Sequence, residues 1–519
     1  MKIHIFLVAF LALGWAGCDD FLDENPDKSG NATIYHIDQL DALLSNYRIY
    51  NGGDSYTWTE TLFMCDDCEC SPELYKLLTF SDNAYGASIW DLSTLQSVTF
   101  QRLSWQSCYE PMFTFNTILE DADIVEQTTP EMNAMVKGEA LFGRAYFHFM
   151  ALVAFCRYDL ESPGVGYKTD TYPNSIPARE TVGYTLEKIR EDLNKAEALL
   201  TQAGRTSFEH ERNFRVTLPT LQAFRARLEL YFGNYKEAYD AADNALKGHN
   251  TLVKFFEDDE LYEIKNPLNV AVVDDNEVAT GDTIRYYEMT ELLSRGGEAF
   301  VMNEEYYLVH KIGLYTANRS LPISESLYNL FDRENDERWI HFYNNNYLIG
   351  KELGRSRTIK KSVLDKLKPW EYHVYLRFVP SSGSSEKNYP MGMSTPEMIL
   401  IKAEYLARNG QEGDAQKLLQ ELRSYRFRSQ EAANNIGGKV QDVLDERRRE
   451  LTASMRWYDL KRLNGKENAN ITLTKQRISD LSDKNSTPVE VQLKPNDPLY
   501  ALPIPPEEAI LMGWQQNEY

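Results

Sequence analysis

Six cysteines carry the most distinctive chemistry in this chain, and they separate by position into one near the start and five inside. Cys18 follows Ala16 and Gly17, behind a short basic start with Lys2 and His4 and an unbroken apolar run over 5–13. That order is the pattern of an export signal ending in a lipobox, in which the Cys18 thiol takes a lipid and the chain is cut before it. Trp15 stands where an aliphatic residue is usual. The apolar run is too short to cross a bilayer, which needs roughly 20 such residues. The expectation is a signal peptide over 1–17 and a lipid-anchored, flexible polar tether over 18–31, broken by Pro26 and Gly30.

Cys65, Cys68 and Cys70 are interleaved with Asp66, Asp67 and Glu69 and could supply half of a metal site. No second Cys or His pair of zinc-like spacing completes four ligands, so no metal and no cofactor are expected. The cluster reads instead as one local disulfide or thiols in a surface loop. With Cys108 and Cys156 it leaves an odd number after Cys18, which defines no disulfide framework.

The common catalytic signatures are missing. No Walker A, Rossmann fingerprint, nucleophile elbow, zincin helix or calcium loop occurs, and Gly164 with Gly166 gives only Gly-x-Gly. Glycosidase carboxylates are placed by a fold rather than a motif, and among 78 acidic residues no pair stands out. A net charge of -23 argues against nucleic acid and against electrostatic docking on anionic lipid, both of which need clustered Lys and Arg. The 32 Tyr, 23 Phe and 8 Trp are enough for a core and for exposed rings besides.

The elements that position these residues are mainly helical. Apolar residues recur at three-to-four spacing in Leu40, Leu43, Leu44 and Tyr47, then in Trp105, Tyr109, Met112, Phe113 and Leu119, with Asn116 among them, and again over 135–155 and 182–200. The interval 51–101 between the first two, broken by Gly52, Gly53, Pro72 and Gly86, reads as loop and holds Tyr56, Trp58, Tyr85 and Trp90. Ala226, Gly233 and Ala238 recur at the same offsets as Ala403, Gly410 and Ala415. Small residues so spaced let antiparallel helices pack around a glycine turn, which is the logic of the tetratricopeptide repeat. Two units this far apart suggest helix pairs embedded in a larger helical fold rather than a continuous solenoid.

Between the two units the composition turns to Asn, Asp, Gly, Ser and Tyr, with β-prone runs at 270–273, 306–309 and 373–379. The tail over 496–519 is extended and Pro-rich and is expected to lie as a strap on the core. Glu446-Arg447-Arg448-Arg449-Glu450-Leu451, followed by Arg456-Trp457-Tyr458-Asp459-Leu460-Lys461-Arg462, places acids beside nearly every arginine. A network locking the last helices together is the expected use of such a pattern.

These segments resemble the SusD/RagB family of surface glycan-binding lipoproteins of Bacteroidetes. The similarity runs in order along nearly the whole chain: CDDFLD from Cys18, Trp105 with Tyr109 and Asn116, GEALFGRAYFHFMALVAF from Gly138, LYFGNYKEAYDAADNAL from Leu230 and LYNLFDRENDER from Leu327. STPEMILIKAEYLARNG from Ser394, the ERRREL and RWYDLKR pair, and LPIPPEEAILMGWQQNEY from Leu502 continue it. The resemblance implies a mainly α, single large domain over 32–519 built on tetratricopeptide-like helix pairs. Its helical N-terminal half would run to about 248, an irregular ligand-binding insert with short strands over about 249–393, and C-terminal helices and a strap over about 394–519.

It further implies a non-catalytic protein held at the cell surface of the outer membrane by the lipid on Cys18. Such a protein captures a glycan for a SusC-like TonB-dependent barrel, over which it acts as a lid. Sugar rings present apolar C–H faces, so capture calls for flat aromatic platforms edged by polar groups. By the family's pattern the platforms fall on Trp90, Trp58 and Tyr85 in the early interval and on Tyr286, Tyr287 and Tyr315 in the insert, with Asn83, Asn318 and Arg319 as polar partners. A peptide-capturing relative would share the scaffold, and a surface glycosidase is the remaining alternative.

Overall fold

The computed structural model describes residues 34–46, 48–51, 59–77, 82–126, 128–172, 175, 177–255, 268–286, 303–308, 311–314, 321–346, 348–349, 357–375, 387–451 and 455–519. The chain opens with α1 (Ile37–Leu44), α2 (Thr59–Met64) and α3 (Asp82–Ser88). The interval expected as loop is therefore partly helical; Pro72 does not break it, because it stands first in a short helix, where its missing N–H costs nothing. Two long helices follow, α4 (Val98–Asp121) and α5 (Pro130–Phe155), then α6 (Val182–Gln202). Thr129 caps α5 by accepting from Met132 N, and Pro130 presets its first turn.

Helix α5 is buried on every side from Gly138 to Phe155, as the central rod of the domain must be. Gly143 sets how closely α4 crosses it: a Cβ there would lie 2.2 Å from the Phe115 ring. The segment after α5 is pinned onto α6 and back onto α5. Tyr167 donates to Asp192 at 2.6 Å, and Lys168 N donates to His148 Nε2 at 2.9 Å, leaving Nδ1 to donate to Arg144 O at 2.7 Å. Burial holds His148 down at about 3, so it serves as a neutral ring.

The repeated small residues act as anticipated. Ala226 and Ala238 are fully buried between α7 (Leu218–Tyr231) and α8 (Tyr235–Gly248), whose turn passes through Gly233 at φ 72°. The insert comes next, with the hairpin β1 (Leu268–Val273) and β2 (Ala279–Tyr286), then β3 (Lys311–Leu314), β4 (Thr358–Lys360) and β5 (Lys387–Pro390). The second unit, α9 (Thr395–Arg408) and α10 (Glu412–Ser424), repeats the first: Ala403 and Ala415 are buried and Gly410 has φ 76°.

One expectation needs correction. The two units are far apart in sequence yet adjacent in space: α8 packs on α9, bridged by Lys402 to Asp243 at 2.6 Å, so the hairpins α5–α6, α7–α8 and α9–α10 form one stack. The insert is a long excursion from the middle of that stack.

Within the insert, β1 pairs antiparallel with β2 and parallel with β4, while β3 pairs with β5. The run at 270–273 is a strand as expected. Tyr306 makes only an isolated bridge to Ser394, and His373 to Tyr375 are irregular. Helices α11 (Val440–Leu451) and α12 (Arg456–Glu467) precede a hairpin of β6 (Leu473–Ile478) and β7 (Pro488–Leu493), and the tail includes α13 (Pro506–Met512). The tail does strap the core: Leu502 N donates to Ala154 O at 2.8 Å and Asn517 Nδ2 to Phe155 O at 2.9 Å. Among the described residues no helix is long and apolar enough to cross a membrane.

The arginine-rich helix α11 is the hub of a buried ion-pair network. Glu450 receives Arg338 at 2.8 Å and Arg426 at 2.8 Å, and Arg426 also holds Glu305 at 2.9 Å. Glu446 receives Arg338, Arg423 and Arg449 at 2.8, 3.0 and 2.7 Å. A second centre forms on Glu404, bound by Arg462 at 2.7 Å and Arg408 at 2.6 Å. Burial alone would raise the Glu404 carboxyl, but the two arginines outweigh it and hold it at about 2.

A carboxylate so depressed stabilises the fold fully above its ordinary value of 4.5 and loses that contribution as pH falls toward about 2. Glu404→Gln, which strands two guanidinium groups, should cost about 3–5 kcal/mol at neutral pH. Urea unfolding at pH 7 and at pH 3 should show the gap between variant and parent narrowing in acid; a constant gap would contradict the pairing.

Candidate functional site

Asp66 and Asp67 explain why the cysteine cluster looks like a site. Arg456 grips Asp66 with two bonds of 2.7 Å, and Arg448 pairs with Asp67. Burial would raise Asp66, but Arg456 and Arg448 prevail and hold it well below the usual carboxylate range. The acids between the cysteines thus serve the network of α11 and α12. Cys65, Cys68 and Cys70 are thiols, with Cys65 and Cys70 buried rather than in a surface loop. Burial pushes the Cys68 thiol up to about 12 and the other two well above their ordinary value, which suits inert neutral thiols. Among the described residues no group of three or more His, Cys, Asp or Glu could hold a metal ion.

The same segment forms a seam with the insert. Cys68 bridges antiparallel to Ile323, Glu69 N donates to Pro322 O at 3.0 Å, Ser324 N to Asp67 O at 2.9 Å, and the Ser324 hydroxyl to Asp66 O at 2.6 Å. The early interval and the insert, the two regions expected to carry binding residues, are therefore joined edge to edge.

A buried lysine supports the seam from behind. Lys475 reaches inward from β6 and donates to the carbonyls of Phe63, Cys65 and Ser88 at 3.2, 2.9 and 2.8 Å. Its ammonium lies 5.0 Å from the centre of the Trp90 ring, a cation–π contact, and burial lowers its pKa. The Trp90 indole N–H donates to Met64 O at 2.9 Å, and the residue closes α3 with φ 58°, a left-handed conformation costing a side-chain-bearing residue about 1–2 kcal/mol. Tyr85 stacks on Tyr75 at 3.7 Å, and its hydroxyl accepts from Ile478 N at 3.3 Å.

Known proteins align with this arrangement throughout. Residues 20–230 match a SusD-like family model described as starch-binding associating with outer membrane, and residues 359–513 match the SusD/RagB model described as SusD family. The chain belongs to the SusD/RagB family. No curated protein matches it. Among solved structures, a SusD superfamily protein from Bacteroides thetaiotaomicron VPI-5482 superposes with a TM-score of 0.65 at 19% identity, over 93% of this chain and 100% of that one. One from Bacteroides vulgatus ATCC 8482 gives 0.61 at 17%, over 93% and 99%. A laminarin-binding SusD-like protein gives 0.59 at 18%, also over 93% and 99%.

In this SusD/RagB chain two of the expected platforms are core residues. Trp90 is 6% exposed and Tyr85 is 0% exposed. The reason is physical: each ring has partners on β6 or beside it, and neither could offer a face to sugar without leaving them. Trp58, Tyr287, Tyr315, Asn318 and Arg319 lie outside the described residues. Asn83 falls in α3 and Tyr286 ends β2, but their side chains lie outside what is described.

Sequence reasoning missed the β6–β7 hairpin and with it Lys475. Its alternation was visible, since Leu473 and Lys475 share one face, and Asp480 to Ser486 supplies the turn residues. Lys475→Met should leave three carbonyls without their donor and cost about 1–3 kcal/mol. Hydrogen exchange should quicken in 63–90 relative to the α7–α8 hairpin; uniform exchange would rule out the bracing role.

Proposed function

We propose that this protein is a non-catalytic, lipid-anchored glycan-binding protein of the outer-membrane surface, which captures a polysaccharide or oligosaccharide and passes it to a TonB-dependent transporter. The observation that carries this reading is the fold shared over 93% of the chain with a laminarin-binding relative, together with the two family models. Anchoring through Cys18 supports a lid role. A tether keeps the protein at high effective concentration over a barrel, so a modest interface suffices to retain ligand.

The seam supports a single binding face. In sequence the early interval holds Trp58 and Asn83, and the insert holds Tyr286, Tyr287, Tyr315, Asn318 and Arg319, so these remain the candidate platforms and polar edges of that face.

The test uses soluble protein beginning after Cys18, on a glycan array and a peptide library. Glycan binding without new reducing ends is expected, and Tyr315→Ala should weaken it about fivefold, the equivalent of one stacked ring at about 1 kcal/mol. Binding to peptides alone would replace the glycan reading, and release of reducing ends would replace the non-catalytic one.

A further inference from the structure

A cleft of about 660 Å³ opens where the C-terminal strap crosses the segment following α5, and it shares no lining residue with the seam. Its size falls within the ~300–1,000 Å³ typical of small-molecule sites. Pro163, Pro177, Trp514, Gln515 and Arg157 are among its lining residues.

The walls are rigid because bonds distant in sequence fix them. The Trp514 indole N–H donates to Pro177 O at 3.1 Å, and its ring meets Trp105 edge-on at 5.9 Å. Arg179 ties the walls together, donating to Gly164 O at 2.9 Å, to Asn517 Oδ1 at 2.6 Å and to Gln515 O. Arg157 is exposed, and among the described residues its one hydrogen-bond partner is Glu518 O at 3.4 Å.

We infer that this cleft is a second carbohydrate site, taking a short oligosaccharide; the inference rests on the proposed glycan-binding function. A fixed indole and two proline rings offer apolar surface for the C–H faces of sugar rings. The Gln515 amide and the Arg157 guanidinium supply planar donors and an acceptor for hydroxyl pairs. Arg157 and Arg179 face one carboxylate, Glu518, so the lining carries one net positive charge and accepts neutral or acidic sugars. Gln515 and Arg157 are both exposed side chains, which lets the site be altered without touching the core.

The experiment is calorimetric titration of the soluble chain with laminarihexaose and maltohexaose, followed by the best oligosaccharide from the array. Two sites per chain are expected. The Arg157→Ala/Gln515→Ala double variant should retain the parent's thermal midpoint and lose one site, or weaken it at least tenfold, with the other constant unchanged. Trp514→Phe, which keeps an apolar ring, should weaken the same site less than the double variant does. One site, unaffected by the double variant, overturns this inference alone. No binding of any arrayed oligosaccharide by the parent overturns the proposed function and this inference with it.

Discussion

Buried arginines that must find carboxylates govern how the distant parts of this chain come together. An ion removed from water costs several kcal/mol unless a partner and hydrogen bonds compensate. Here the partners come from far away in sequence: Glu305 and Arg338 belong to the insert, Arg426 follows α10, Glu450 and Glu446 lie on α11, and all are within 3% of full burial. Arg448 and Arg456 extend the same logic to Asp66 and Asp67 near the start of the domain. Such pairs add little net stability over an apolar core, yet any register that separates them leaves a charge stranded. They therefore select one arrangement of repeat stack, insert and early interval.

This constraint passes directly to the seam between the early interval and the insert. Pairing at Asp66 and Asp67 fixes the backbone around Cys68, and that backbone holds 322–324 of the insert through main-chain and serine bonds. Lys475 completes the support by giving three carbonyls a common donor. The scaffold is thus assembled from charges and carbonyls that no ligand needs to touch.

What could be read from the sequence follows from the range of the interactions involved. The helices were legible because their apolar spacing is local, and the repeat because Gly233 and Gly410 are each needed for a turn at positive φ. The ion-pair network was legible in kind, since acids accompany arginines within ERRREL, although its reach into Glu305 and Asp66 was not. Trp90 could not be placed, because its burial depends on Lys475 and Met64, neither close to it in sequence. A tryptophan in a breaker-rich interval reads as exposed until the strand beneath it is known. The adjacency of the two repeat units was hidden for a similar reason: the insert separates them in sequence, yet α8 packs against α9.

The contrast between Trp90 and Trp514 shows what distinguishes a supporting ring from one available to ligand. Both donate their indole N–H to a backbone carbonyl, at 2.9 and 3.1 Å, and so both are held in orientation. Trp90 is then covered, with a lysine over its ring and 6% of its surface left. Trp514 is only partly buried and lines a cleft, so fixing its edge prepares the remaining surface at no further entropic cost. Orientation by a carbonyl is common to both roles; the neighbour over the ring decides between them.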